Sequence, residues 1–156
     1  MGAAPIWQCT LLGLSSGARP KEEYNAPHMA SHYFTVEEAN AALVIVRPLV
    51  AELQDIRARI LAHRPELWPA LERAAGNGGN ATLAKMVKEF DRLDEIVHLI
   101  MGTGAQIKDL ASGLLDFPAW RQDHEVLLCW KHGEPEILYW HETDAGFAGR
   151  RAISEY

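Results

Sequence analysis

Cysteine is scarce: only Cys9 and Cys129 occur in 156 residues. That excludes a disulfide framework and a multi-cysteine zinc site. Long apolar runs are missing too. The longest, Ala41–Val46, is far short of the roughly 20 residues a membrane-spanning helix needs. Positive charge is in deficit, with 15 Lys and Arg against 21 Asp and Glu and a net charge of −6. This argues against nucleic acid or an anionic membrane as partner, because phosphate binding rests on clustered Lys and Arg. The chain shows no P-loop, no dinucleotide-binding glycine motif and no Ser-His-Asp signature. What remains is a composition of 48% hydrophobic and 23% charged residues, ordinary for a globular chain of one domain. The expectation is a cytoplasmic protein.

The first 30 residues carry no periodic order. Trp7, Cys9 and Leu11 are scattered among Gly, Ser, Pro and charge. The segment Ile6–Leu14 lacks the basic flank of a secretory signal and is interrupted by Gln8 and Thr10. Position six is Ile, which breaks the myristoylation pattern. Residues 1–30 are expected to be a disordered or non-native extension, with Met29 as the alternative start. Residues 31–156 are expected to form a single domain.

That domain opens on Thr35-Val36-Glu37-Glu38, a capping-box pattern before an apolar-periodic run. Ala42, Val46, Leu49, Leu53, Ile56 and Ile60 follow at alternating spacings of four and three. The spacing predicts a helix to about His63, with Pro48 expected to kink it. Pro65 and Pro69 break the next stretch, and Gly76–Asn80 predicts a loop. A second heptad stripe, Leu83, Met86, Phe90, Leu93, Val97 and Ile100, predicts a helix over 81–101. Two such helices joined by a limited connector predict an antiparallel hairpin. Leu43, Val50, Val87, Ile96 and Leu99 fall off the seam, giving each helix a second apolar face.

Short strands are expected next, at 106–110, 114–117, 125–131 and 136–141. His132–Pro135 would make a four-residue hairpin loop, with Lys131 opposite Glu136. Both faces of this hairpin are largely apolar, so one should meet the helices and the other a partner or a pocket. The fold class is α+β: a long antiparallel helical hairpin packed on a small antiparallel sheet of three to four strands.

The segments F-T-V-E-E-A-N-A (34–41), R-P-L (47–49), G-L-L-D-F-P (113–118), E-V-L-L-C-W (125–130), G-E-P-E-I (133–137), Y-W-H (139–141) and G-F-A-G-R-R (146–151) resemble a prokaryotic family, domain of unknown function 2203. The resemblance covers about Tyr33–Arg151. It implies a compact cytoplasmic domain and singles out Asp116, Arg121, Trp130, Glu134, His141 and Arg150 as motif positions. It places His124 at a variable position.

The last third, Gly113–Arg151, holds three of the five Trp and three of the seven His. His141, Asp116 and His124, with Glu142 nearby, offer imidazole and carboxylate, the right ligands for zinc, iron or manganese. They lack a recognised metal spacing. The expectation is therefore no cofactor, with a divalent metal as the alternative. In place of a metal, His141 is expected to be held by Asp116 or Glu142, under Trp140 or Tyr139, with Arg150 closing the pocket. Glu134, at the turn, would stand roughly 23 Å of strand away from His141. Gly146–Arg151 suits either a small anionic ligand or an Arg paired to Asp116 or Glu142. Cys129, mid-strand among apolar residues, reads as a small core hydrophobe. Glu95 and His98, as one Glu-x-x-His pair, read as a solvated helix face. The function expected is a homo-oligomeric binding module with a small polar-aromatic pocket in the C-terminal sheet. The alternative is a metal-assisted hydrolase using His141, Asp116 and Arg121.

Overall fold

A computed structural model of the chain describes residues 32–63, 65 and 81–156. The expectations for residues 1–30 and for the loop 76–80 lie outside the described residues. Among the described residues two α-helices precede five strands, so the fold is α+β. Helix α1 spans Val36–Ala62 and α2 spans Ala81–Gly102. Strands β1 (Gln106–Asp109), β2 (Leu114–Arg121), β3 (His124–Lys131), β4 (Tyr139–Glu142) and β5 (Arg151–Ala152) pair in that order, each antiparallel to the next. The sheet therefore has five strands, where three to four were expected.

Helix α1 starts where its cap dictates. The Glu38 N–H donates to Thr35 Oγ1, and the Thr35 N–H donates to the Glu38 carboxylate. Two of the N–H groups that every helix start leaves orphaned are satisfied in this way. The helix runs on through Pro48. Arg59 forks onto Glu89 at 3.0 and 2.9 Å, and Arg92 onto Glu52 at 2.7 and 2.9 Å. Late residues of α1 thus meet early residues of α2, and the two run antiparallel.

The buried stripes differ from the predicted seams. Leu43, Val50 and Ile96 are fully buried, while Ala42, Leu49 and Phe90 are only partly so. A strict heptad seam suits a helix with one neighbour. These helices share one apolar cluster with each other and with the sheet, which widens the buried arc of each.

Inward-facing sheet residues of that cluster are Leu115, Phe117 and Ala119 on β2, Val126, Leu128 and Trp130 on β3, and Trp140 on β4. Cross-strand pairing confirms the common face: Leu115 sits opposite Trp130, Phe117 opposite Leu128, and Leu128 opposite Trp140. Between them, pointing outward, lie Asp116, Leu127, Cys129 and His141, also buried. Period-two alternation alone assigns them to the outer face.

Three local departures decide where these residues fall. First, β2 continues through Pro118 to Arg121. Beyond Asp116, β1 no longer pairs with β2, leaving that side open. The Pro118 carbonyl accepts from the Phe34 N–H there, away from β3. The missing Pro N–H would have pointed the same way, so no β2–β3 bond is lost. A two-residue turn, Gln122-Asp123, then starts β3, with Gln122 at φ 44°.

Second, the β3–β4 register is one residue off the expected one: Leu128 faces Trp140, not Tyr139, and Val126 faces Glu142, not His141. The stretch after Pro135 is drawn out of the ladder. The Ile137 N–H donates to Asn40 Oδ1 of α1 at 2.8 Å, and the Leu138 carbonyl accepts from Ile153.

Third, Arg151–Ala152 adds an edge strand to β4 in place of a simple turn. Gly113, before β2, has φ +65°, and a Cβ there would stand 2.7 Å from His132 Cβ and 2.9 Å from Val50 Cγ1. Only glycine fits a turn wedged between α1 and the start of the β3–β4 connection.

Candidate functional site

Three chemically distinct groups meet on the outer face: the Asp116 carboxylate, the Cys129 thiol and the His141 imidazole. Their ligand atoms all lie within 4.8 Å of one another, and all three residues are buried. The β2–β3 pairing sets Asp116 directly opposite Cys129. The β3–β4 pairing sets His141 opposite Leu127, one strand along and two residues from Cys129.

The imidazole is oriented from both ends. Its Nδ1 lies 2.8 Å from the Glu142 carbonyl oxygen, and a carbonyl only accepts, so Nδ1 carries the proton. Its Nε2 faces Asp116, 3.3 Å from each carboxylate oxygen. Lys108 Nζ stands 3.8 Å from the same carboxylate. Burial, and then the negative charge of Asp116, push the Cys129 thiol up to about 12. Cys129 is therefore a thiol at neutral pH and a poor nucleophile as it stands.

A second polar unit flanks this one. Arg150 Nη2 donates to both Glu134 oxygens at 2.8 and 2.7 Å and reaches the Cys129 carbonyl at 3.4 Å. Its guanidinium lies over Tyr139 at 4.0 Å and Phe147 at 4.8 Å. Burial opposes the Arg150 charge, but the Glu134 carboxylate more than offsets it and holds the guanidinium's pKa above its ordinary value. The partner of Arg150 is thus Glu134, and the Arg of this segment that pairs with Glu142 is Arg151, at 3.8 Å. The 23 Å spacing does not apply, because residues 132–138 leave the strand after Lys131. Glu134 folds back instead, accepting the Lys131 N–H at 2.8 Å.

The other candidate residues are placed elsewhere. Trp130 lies on the inner face, its indole N–H donating to the Glu134 carbonyl at 2.9 Å. Arg121 stacks over Trp140 at 4.6 Å, on the inner side of the sheet, and donates to the Glu155 carbonyl. The sheet separates it from Asp116 and His141. His124 is exposed and paired with Glu142 at 3.0 Å. It is not in the cluster that Asp116 and His141 form; Cys129 is. Glu95 pairs with Arg92 and His98 with Asp94 on exposed helix surface, as a solvated face requires. Among the described residues, the Trp140 indole N–H and the Arg121 and Arg150 Nε atoms are buried without a hydrogen-bond partner.

The family model described as "Uncharacterized conserved protein (DUF2203)" matches residues 32–153. The chain belongs to this family. No curated protein and no solved structure matches it. The DUF2203 match covers both helices, all five strands and every residue of the outer-face cluster. No described helix of this DUF2203 chain is long and apolar enough to cross a membrane.

Cys129 is the member of the site that sequence reasoning passed over. A signal for it existed. Gln122-Asp123 between two alternating runs predicts a two-residue hairpin loop, and that register sets Asp116 opposite Cys129. Pro118 hid it by ending the strand too early.

Proposed function

We propose that this domain is a homo-oligomeric binding module whose binding site is the outer-face cluster of Asp116, Cys129 and His141, flanked by Arg150 and Glu134. In this reading the two helices form a hairpin laid on the inner face of the sheet, and the outer face carries the function. The observation that supports it is a carboxylate, a thiol and an imidazole buried side by side among otherwise apolar buried residues of the sheet. Burying such groups stabilises a fold less than apolar residues of the same volume do. Their presence is accounted for by binding. Tyr139, paired across from Cys129 and lying under Arg150, supports a polar-aromatic setting for the cluster.

Self-association is supported by apolar residues left on the helices. Val44, Ile45, Val87, Leu99 and Met101 are exposed. Ile45 lies one heptad before Glu52 and Leu99 one heptad after Arg92, so both extend the outer line the ion pairs mark. Native mass spectrometry of the full chain tests both parts. The expected spectrum is an oligomer whose protomers retain extra mass, with that mass absent from the His141→Gln variant. A bare monomer would overturn the reading.

The hydrolase reading keeps Asp116 and His141 but loses Arg121, which faces the other side of the sheet. A small anion has a weaker claim on Arg150, whose guanidinium is occupied by Glu134.

A further inference from the structure

The geometry points to a divalent-cation site of the zinc class, formed by an Asp116 carboxylate oxygen, Cys129 Sγ and His141 Nε2. This rests on the reading of the outer-face cluster as a binding site, and it names the ligand. The three residues come from three adjacent strands, β2, β3 and β4, so rigid backbone holds each donor.

The argument starts from the imidazole. With its proton on Nδ1, given to the Glu142 carbonyl, a neutral His141 turns the lone pair of Nε2 toward the lone pairs of Asp116. A cation placed between them would meet both sets of lone pairs at once. The structure has 3.3 Å between Nε2 and each of the two oxygens alike. That is the spacing a tetrahedral zinc sets: bonds of about 2.0–2.2 Å place its nitrogen and oxygen ligands about 3.3–3.5 Å apart.

Cys129 completes a set of mixed softness. One thiolate, one imidazole and one carboxylate suit zinc, cobalt(II) or iron(II), and do not suit calcium or magnesium, which take oxygen. On binding, the thiol proton leaves to solvent and the thiolate takes its place on the metal. One ion of charge +2 then meets two negative ligands and one neutral ligand, and the site becomes neutral. The ligand atoms span up to 4.8 Å in the present arrangement, so the most distant pair must close by about 1 Å. Three protein ligands leave a fourth position for water or a bound molecule. Lys108, 3.8 Å from Asp116 and partly exposed, is the cation the carboxylate now faces.

The test uses chelator-treated full-length chain titrated with cobalt(II), followed by displacement with zinc. Saturation at one ion per chain is expected, with a sulfur-to-cobalt charge-transfer band. Cys129→Ser should abolish the band. His141→Gln should weaken affinity by at least about 100-fold, because losing a group that only supports a ligand already costs 10–100-fold. Lys108→Met, which removes a competing charge without touching a ligand, should tighten binding several-fold and guards against misfolding of the ligand variants.

Uptake without the sulfur band, or uptake unchanged in Cys129→Ser and His141→Gln, would overturn the assignment. No saturable uptake, with a small-molecule mass retained by the native chain and lost in His141→Gln, would reject the metal and leave the binding reading standing. Neither metal nor retained mass would reject both.

Discussion

The inner face of the sheet and the middle of its outer face are both buried, and they are built by opposite rules. Inward, Leu115, Phe117, Ala119, Val126, Leu128, Trp130 and Trp140 join the helix side chains in one apolar cluster. Outward, the buried residues between them are Asp116, Pro118, Leu127, Cys129 and His141. Both sets come from the same strands, one residue apart. The inner set is accounted for by burial alone, at about 25 cal/mol per Å² of apolar surface. The outer set is not: His141 Nδ1 keeps its 2.8 Å bond to the Glu142 carbonyl, but Nε2 and the buried Asp116 carboxylate meet only at 3.3 Å, a poor exchange for lost hydration. A sheet that buries both has one face for stability and one for something else.

The comparison can be broken in several ways. The largest expected effect is on the inner face. Phe117→Ala should cost about 3–5 kcal/mol and Leu53→Ala about 2–5 kcal/mol in urea denaturation. Next comes the outer face. Asp116→Leu alone strands His141 Nε2 and should cost about 1–3 kcal/mol. Adding His141→Leu should restore stability to within about 1 kcal/mol of the native chain, because a fully apolar replacement leaves nothing unsatisfied. A double variant as damaged as Phe117→Ala would show that the pair is structural.

Phe90→Ala should cost under about 2 kcal/mol, less than Leu53→Ala, because Phe90 is only partly buried. Glu95→Ala, on exposed surface, should cost under about 0.5 kcal/mol. Equal costs for Phe90 and Leu53 would restore the strict heptad seam.

The smallest effect is on pH dependence. The Arg59 hydrogen bond holds the Glu89 carboxyl below its ordinary value of 4.5. Burial raises Asp109, but hydrogen bonds from Ser112 and the Ala111 and Ser112 backbone outweigh it, so it sits below 3.8. A carboxylate with a depressed folded pKa stabilises above its unfolded pKa and loses that contribution as pH falls through the folded one. Stability should therefore decline below about pH 4.5, and Asp109→Asn should flatten the most acidic part of the curve. A profile unchanged by Asp109→Asn would contradict this.

Much of the fold was legible in the residues, for reasons that can be named. The Thr35–Glu38 box and the apolar periods located both helices, because capping and amphipathicity are local properties. The β1–β2 turn and the start of β3 were marked by Gly113 and by alternation. Less local features were hidden. Pro118 is tolerated in a strand only because β1 stops short, which is a fact about pairing. The β3–β4 register depends on Asn40, 97 residues before its partner Ile137. Strand β5 is two residues long and has no period to read.

The candidate site was half legible for the same reason. Asp116 and His141 stood out as polar residues in apolar strands. Cys129 looked apolar until the register set it across from Asp116. Glu134 and Arg150 each stood out, but their pairing depended on the fold-back after Lys131.

The most direct test of the outer face as a metal site is urea unfolding of the full chain with and without excess zinc. Zinc that binds the folded chain must stabilise it by RT ln(1 + [L]/Kd), about 2.7 kcal/mol when free zinc is 100 times Kd. The account predicts a rise of that order in the native chain and none in the Asp116→Leu/His141→Leu variant. A midpoint unmoved by zinc, or moved equally in both, would contradict it.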